Sequence, residues 1–332
     1  MRTLCCLLCA AVCGCQSTAL TSAKLYLQER KPAQAEEQLK QALGTEPANA
    51  EIHYLLGRAH AAQGEYPEMD RALDRSLELG SRFAEDIALL RRQYWAQEYN
   101  RAVGLATAAE PDYQAAREGF RTAVLIDSSQ VQGWRNLAFT DYQLGDHEAA
   151  LSAYEQIVRL APADTMALSN LGALYIQQQR YAEASSTLEK LTQLHANDAR
   201  AWVNLGIARA QLDSTDLAEA AYQQAVALDP EMALAYYGLG NLYWSQEEFA
   251  MARDQYTRAA ELDPADQDIR FNLAMAHLQL GQDDQALPLL EALSQEAPDN
   301  GAVWRQLSLI YARQERMEES YHADARAKEL GH

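Results

Sequence analysis

Four asparagines, Asn136, Asn170, Asn204 and Asn272, recur at one fixed spacing or twice that spacing. Each is followed seven positions later by a glutamine: Gln143, Gln177, Gln211 and Gln279. Seven positions are two turns of an α-helix, so both amides of a pair fall on one face. A carboxamide donates and accepts, and can bracket a peptide bond whatever its side chains. Reactive chemistry finds no comparable pattern. There is no phosphate-cradling glycine loop, no His-Glu-x-x-His and no nucleophile elbow. His53 and His60 are spaced as a conceivable metal pair, but both fall on core positions and read as packed histidines, so no metal or cofactor is expected. Acidic pairs such as Glu36-Glu37, Glu247-Glu248 and Asp283-Asp284 read as solvated helix faces.

Composition narrows the class. The 332 residues carry 28 Lys+Arg against 47 Asp+Glu, a formal charge of −19, which argues against a general nucleic-acid binder. Nearly half the residues are apolar, enough for a core. All five cysteines lie at or before Cys15, which leaves the rest without disulfides or thiolate zinc.

The elements that must carry the amides are read from a repeat. Trp134-Arg135-Asn136-Leu137-Ala138, Leu168-Ser169-Asn170-Leu171-Gly172, Trp202-Val203-Asn204-Leu205-Gly206, Tyr236-Tyr237-Gly238-Leu239-Gly240, Arg270-Phe271-Asn272-Leu273-Ala274 and Trp304-Arg305-Gln306-Leu307-Ser308 begin at even intervals of 34. Tyr175, Tyr243 and Tyr311 follow at a fixed offset, then Ala150, Ala184, Ala218, Ala252 and Ala286, and Pro162, Pro230, Pro264 or Pro298 closes a unit. Apolar residues three and four apart predict two amphipathic helices per unit. Gly172, Gly206 and Gly240, with Ala150, Ala184 and Ala218, are expected to let the pair approach closely. One pair cannot bury its apolar face alone; stacked pairs can.

Period and residues resemble the tetratricopeptide repeat (TPR). The resemblance implies an all-α fold, a right-handed superhelical solenoid of about nine helix-turn-helix repeats, from residue 16 or so to the C-terminus. Gly104, Tyr113, Ala116, Phe120 and Ala123 form an earlier unit in phase; His53, Leu56, Gly57, Gly64, Tyr66 and Leu73 form another. Tyr26, Ala35, Leu39, Ala42 and Pro47 form a degenerate first. Gly57 and Gly104 stand 47 apart, a surplus of 13 over the period. The surplus around Phe83, Ile87, Leu90 and Tyr94 keeps helical periodicity and predicts an extension of roughly 20 Å to the next first helix, as a spacer or as a docking helix through Leu89, Tyr94 and Trp95. The polar last helix, with Glu318, Glu319, His322, Asp324, Arg326, Lys328 and Glu329, reads as a cap.

In TPR proteins the first helices line a concave groove. The resemblance therefore makes Asn136, Asn170, Asn204, Asn272, Gln143, Gln177, Gln211 and Gln279 peptide-groove residues. Phe139, Tyr142, Tyr237, Trp244 and Phe271 lie among them as apolar patches, and Arg135, Arg200, Arg305 and Arg313 are the cations expected there. The asparagines could instead order neighbouring helices. Glutamine stands where chaperone-docking TPR domains carry a cation, which disfavours acidic peptide tails.

The N-terminus reads as an address. One arginine precedes an apolar run, Leu4 to Val12, too short to span a bilayer. Val12-Cys13-Gly14-Cys15 resembles the lipobox of bacterial lipoproteins, which implies cleavage after Gly14 and lipidation of Cys15. Gln16 is not the aspartate of inner-membrane retention, so the expected location is the outer membrane, facing the periplasm. An ordinary cleaved signal would need no thiol at the cut. The expected organisation is a leader over 1–14, two units over 15–82, the extension over 83–96 and seven units over 97–332. Lipobox and array together resemble the TPR lipoproteins that assist type IV pilus secretin assembly. The expected function is a non-enzymatic scaffold that binds a protein or peptide partner, with membrane contact through lipid. The competing expectation is an accessory subunit docking a folded envelope enzyme, such as a peptidoglycan synthase or protease.

Overall fold

A computed structural model describes residues 18–331. The leader and Cys15 lie outside the described residues. Every regular element among the described residues is helical. The chain forms two compact units, Met1–Ala161 and Pro162–His332.

The first unit holds four helical hairpins: α1 (Thr18–Gln28) with α2 (Pro32–Thr45), α3 (Ala50–Gln63) with α4 (Tyr66–Leu79), α5 (Ala84–Ala106) with α6 (Tyr113–Ile126), and α7 (Val131–Gln143) with α8 (His147–Leu160). A single 3-10 turn, Ser81–Phe83, leads into α5. The second unit holds five: α9 (Thr165–Gln177) with α10 (Tyr181–Leu194), α11 (Ala199–Ala210) with α12 (Thr215–Leu228), α13 (Ala233–Ser245) with α14 (Phe249–Leu262), α15 (Gln267–Gln279) with α16 (Asp283–Glu296), and α17 (Gly301–Arg313) with α18 (Met317–Glu329). Within each unit the first helices of successive hairpins touch, as α1–α3, α3–α5, α5–α7, α9–α11 and α11–α13 do, and so form a row along one face.

Local chemistry starts and stops these helices. Asp164, Asp198, Asp266 and Asn300 occupy the same place before α9, α11, α15 and α17, and each side chain accepts a backbone N–H of the first turn. Those N–H groups would otherwise have no partner. Between the two helices of a hairpin the backbone turns through a left-handed residue. Gly145 and Gly281 adopt it without side-chain conflict, while Gln179, Asp213, Glu247 and Glu315 adopt the same conformation with positive φ of 55–61°.

Packing within a hairpin differs from the small-on-small crossing expected from the spacing. In the hairpins that begin with α9, α11 and α13, the glycine of the first helix receives a large side chain of the second at the same sequence separation, whereas Gly104 on α5 is exposed and meets none. A Cβ on Gly172 would lie 2.7 Å from Leu188 Cγ, one on Gly206 2.6 Å from Tyr222 Cε1 and one on Gly240 2.5 Å from Tyr256 Cε1. Leu188, Tyr222 and Tyr256 are almost wholly buried as a result. Tyr222 fills a second hollow, at Gly238 on the next hairpin. That explains why residue 238 lacks the asparagine its position in the repeat would carry. Ala184, Ala218 and Ala252 are also fully buried, on the second helices.

The stretch 83–96 lies in the 3-10 turn and α5, a 23-residue helix about 34 Å long. Phe83 and Ile87 are buried with Tyr66, Met69 and Leu73, and Leu90, Tyr94 and Trp95 pack on them. Trp95 stacks on Tyr99 at 4.7 Å, whereas Leu89 is 61 % exposed. The last helix is not uniformly polar outside: Met317 and Tyr321 are exposed beside the Asp324–Lys328 ion pair.

The glycine packing has an opposite-signed control. Gly206→Ala is expected to lower stability by about 1–2 kcal/mol, the overpacking cost less the helix-propensity gain. Gly104→Ala, with nothing within 4 Å of the added Cβ, is expected to raise it by up to about 1 kcal/mol. Thermal melting of both variants reads the difference.

Candidate functional site: the face of the first helices

Each amide rung has its own environment. Gln143, Gln177 and Gln279 end α7, α9 and α15, Gln211 caps α11, and all four are exposed. Asn136, Asn170, Asn204 and Asn272 sit about two turns earlier and are half-buried. In the first unit Asn136 Nδ2 donates to Tyr99 OH on α5, at 2.9 Å. In the second, Asn272 Nδ2 donates to Tyr237 OH at 3.0 Å and approaches Asn241 Oδ1 at 3.5 Å; Tyr256 OH donates to that same oxygen at 2.7 Å. The donors of Asn136 and Asn272 thus hold one hairpin to the one before, while the glutamines face solvent.

The aromatic positions divide similarly. Phe139 and Tyr142 are 45 % and 49 % exposed on α7. Tyr237 and Trp244 pack against the core built around Tyr222 and Tyr243, and Phe271 against that around Leu290 and Leu307. They serve as walls more than as open patches. Of the cations expected on this face, Arg313 is paired with Asp283 at 2.6 Å.

A polar seam, unforeseen in the repeat, lies beside this face. Residues 141, 175, 209, 243, 277 and 311 share one position, and several reach back to the second helix of the preceding hairpin. Tyr243 OH donates to Glu219 at 2.7 Å and Tyr311 OH to Glu291 at 2.9 Å. Burial, then the carboxylate beside it, pushes each phenol up to about 12, so both remain donors at neutral pH. Arg209 pairs with Glu189 at 2.9 Å. In the first unit the polarity reverses: Asp141, buried, lies 3.6 Å from Arg117. Burial raises the Asp141 carboxyl despite Arg121 and Arg117 nearby. The signal was present in the sequence as a polar or aromatic residue at a fixed offset, with a charged partner on the second helix of the unit before.

Sequence reasoning also missed a cleft of about 790 Å³ in the first unit, between α1, α3 and α5. Arg30, Arg58, Gln63, Gln93, Gln97 and Tyr94 line it, and no carboxylate does. Amides therefore recur on this face at positions outside the register of the repeat. His60 is buried, as expected of a core histidine; His53 is not, and its Nε2 lies 3.0 Å from the Pro47 carbonyl.

The tetratricopeptide repeat matches the sequence over residues 141–212 and 244–310 in one family description and over 20–68 and 204–267 in a second. Together they cover more than half of the chain. The chain belongs to the tetratricopeptide-repeat family. TPR folds are in general non-catalytic scaffolds for protein–protein interaction. No curated protein matches the chain. Among solved structures, PilF of Pseudomonas aeruginosa is 19 % identical with a TM-score of 0.50, covering 63 % of this chain and 94 % of its own. YrrB, described as a TPR protein with an unusual peptide-binding site, is 22 % identical with a TM-score of 0.46, covering 56 % and 96 %. MamA from Desulfovibrio magneticus RS-1 is 23 % identical with a TM-score of 0.44, covering 54 % and 97 %. At these identities the likeness is one of fold. No helix among the described residues is long and apolar enough to cross a membrane.

The two rungs are separable by substitution. Asn272→Ala is expected to cost about 1 kcal/mol by removing a hydrogen bond between hairpins. Gln279→Ala, on the exposed rung of the same helix, is expected to stay within about 0.5 kcal/mol of the parent. Denaturant melts of the two variants check this.

Proposed function

We propose that the chain is a non-enzymatic scaffold, anchored by lipid on Cys15 to the bacterial outer membrane and facing the periplasm. It holds an extended peptide segment of a partner along its first helices during assembly of an envelope complex. One observation carries the binding assignment: in the second unit glutamine stands exposed at one repeat position at the ends of α9, α11 and α15, with no structural duty among the described contacts. The half-buried asparagines order the wall behind it. An extended peptide needs donors and acceptors along its length, and neutral amides supply both without selecting for charge. The anchor is supported by the lipobox-like residues preceding Cys15; about 0.8 kcal/mol per buried methylene, over more than one acyl chain, would hold a body this acidic on an anionic surface.

A second reading, docking of a folded envelope enzyme on the second helices, draws on Leu160 and Leu194. They end α8 and α10 and are 42 % and 48 % exposed. Singly exposed leucines are ordinary on protein surfaces, so the amide face leads.

Peptides selected from a displayed random library on the parent chain are expected to bind the Gln177→Ala, Gln211→Ala, Gln279→Ala triple variant at least about 10-fold more weakly. The melting temperature should not change. Failure to enrich any peptide, or equal binding by the variant, counts against the groove. Cys15→Ala is expected to move the protein from the membrane to the soluble fraction of the envelope; continued sedimentation with membranes contradicts the anchor.

A further inference from the structure

His60 on α3 occupies the seam position that carries tyrosine elsewhere, and its surroundings differ from those of Tyr175 and Tyr311. Around Tyr175 and Tyr311, the residue five positions on is an arginine whose guanidinium lies over the ring, at 4.5 Å for Arg180 and 4.3 Å for Arg316. Around His60 that residue is Glu65, whose Oε2 lies 2.7 Å from His60 Nδ1. On α2, in the preceding hairpin, Glu36 directs Oε2 to the same nitrogen at 4.0 Å. At Tyr243 and Tyr311 the phenol donates to one carboxylate, Glu219 and Glu291 respectively, and the further glutamate near each, Glu248 or Glu319, makes no hydrogen bond to the phenol oxygen. Here two converge on one imidazole, with one ligating atom from each of the three residues within 4.8 Å of one another.

The geometry points to a site for a divalent transition-metal ion, of the zinc class, formed by Glu36, His60 and Glu65. Two carboxylate oxygens and an imidazole nitrogen are the donor set that Zn²⁺ takes at about 2.0–2.2 Å, with water completing the tetrahedron. A tetrahedral shell sets its donor atoms roughly 3.4 Å apart, so the ion would open the His60–Glu65 hydrogen bond of 2.7 Å and draw Glu36 in from 4.0 Å. The two oxygens of Glu36 have separate partners. Lys40 pairs with Oε1, while Gln63 Nε2 donates to Oε2 at 2.8 Å and aims it toward the imidazole. Such an outer hydrogen bond is the usual means of orienting a metal-ligating carboxylate. His60 and Glu36 are largely enclosed, and the half-exposed Glu65 side chain opens a path from solvent. The three ligands come from α2, α3 and the residue preceding α4. A bound ion would therefore tie the first hairpin to the second, and its binding free energy would add to the stability of that end of the first unit.

The test is calorimetric titration with Zn²⁺ alone on the untagged full chain with Cys5, Cys6, Cys9, Cys13 and Cys15 replaced by serine, so that thiolates contribute nothing. One saturable Zn²⁺ per chain is expected, with a melting temperature raised by the ion and restored by chelator. Glu65→Gln, at an exposed position where folding is readily confirmed by circular dichroism, should abolish that binding. Gln63→Ala should weaken it about 10-fold. Absence of saturable binding overturns the assignment. So does retention of the same stoichiometry and affinity in both Glu65→Gln and Glu36→Gln, since the ion would then sit on other histidines.

Discussion

One steric constraint sets the closure of four hairpins: the first helix is bare where the second helix inserts a large side chain. Gly57 meets Leu73, Gly172 meets Leu188, Gly206 meets Tyr222 and Gly240 meets Tyr256, all at one sequence separation. The rule fixes the rotation of the first helix about its own axis. Once the glycine faces inward, a residue two positions earlier lies at the junction with the previous hairpin, and the residue five positions after the glycine emerges into solvent. Asn204 and Gln211 hold those two sequence positions around Gly206. The amide face is thus a consequence of how the hairpin closes.

Between hairpins, apolar burial is supplemented by a hydrogen-bonded seam. Tyrosine–glutamate and arginine–glutamate pairs form it at equivalent places, and Asp141 faces Arg117 there as an ion pair at 3.6 Å. Residue identity is free to vary because the requirement is a buried donor matched to an acceptor across the junction. The inversion at Asp141 and Arg117, and the histidine with two carboxylates in the second hairpin, are variations the requirement permits. They also leave room for chemistry that the apolar positions cannot supply.

Much of the fold is legible in the sequence because the even period of the repeat records the hairpin directly, and the helices follow from apolar spacing. The partner of each glycine was not legible: periodicity places Gly206 and Ala218 on facing helices but does not reveal that Tyr222 swings into the hollow between Gly206 and Gly238. The left-handed residues were equally hidden, since Gly145 and Gly281 announce a turn whereas Gln179, Asp213, Glu247 and Glu315 do not. For the candidate site, spacing located the amide rungs, but hydrogen bonding to Tyr99 and Tyr237 distinguishes asparagine from glutamine, and that depends on residues of the preceding hairpin, far away in the sequence. The Arg30–Arg58 cleft lies where the period breaks, so no register pointed to it.

The central claim is that the exposed first-helix amides form a surface for an extended partner. Site-specific photocrosslinking in living cells, with a photoreactive residue at Gln177 or Gln211 on the first helices or at Leu194 or Gln224 on the second, tests it most directly. The account predicts adducts from positions 177 and 211 that map to one short stretch of a partner, with little from 194 and 224. Adducts confined to the second-helix positions, or scattered over a folded partner's surface, would contradict it.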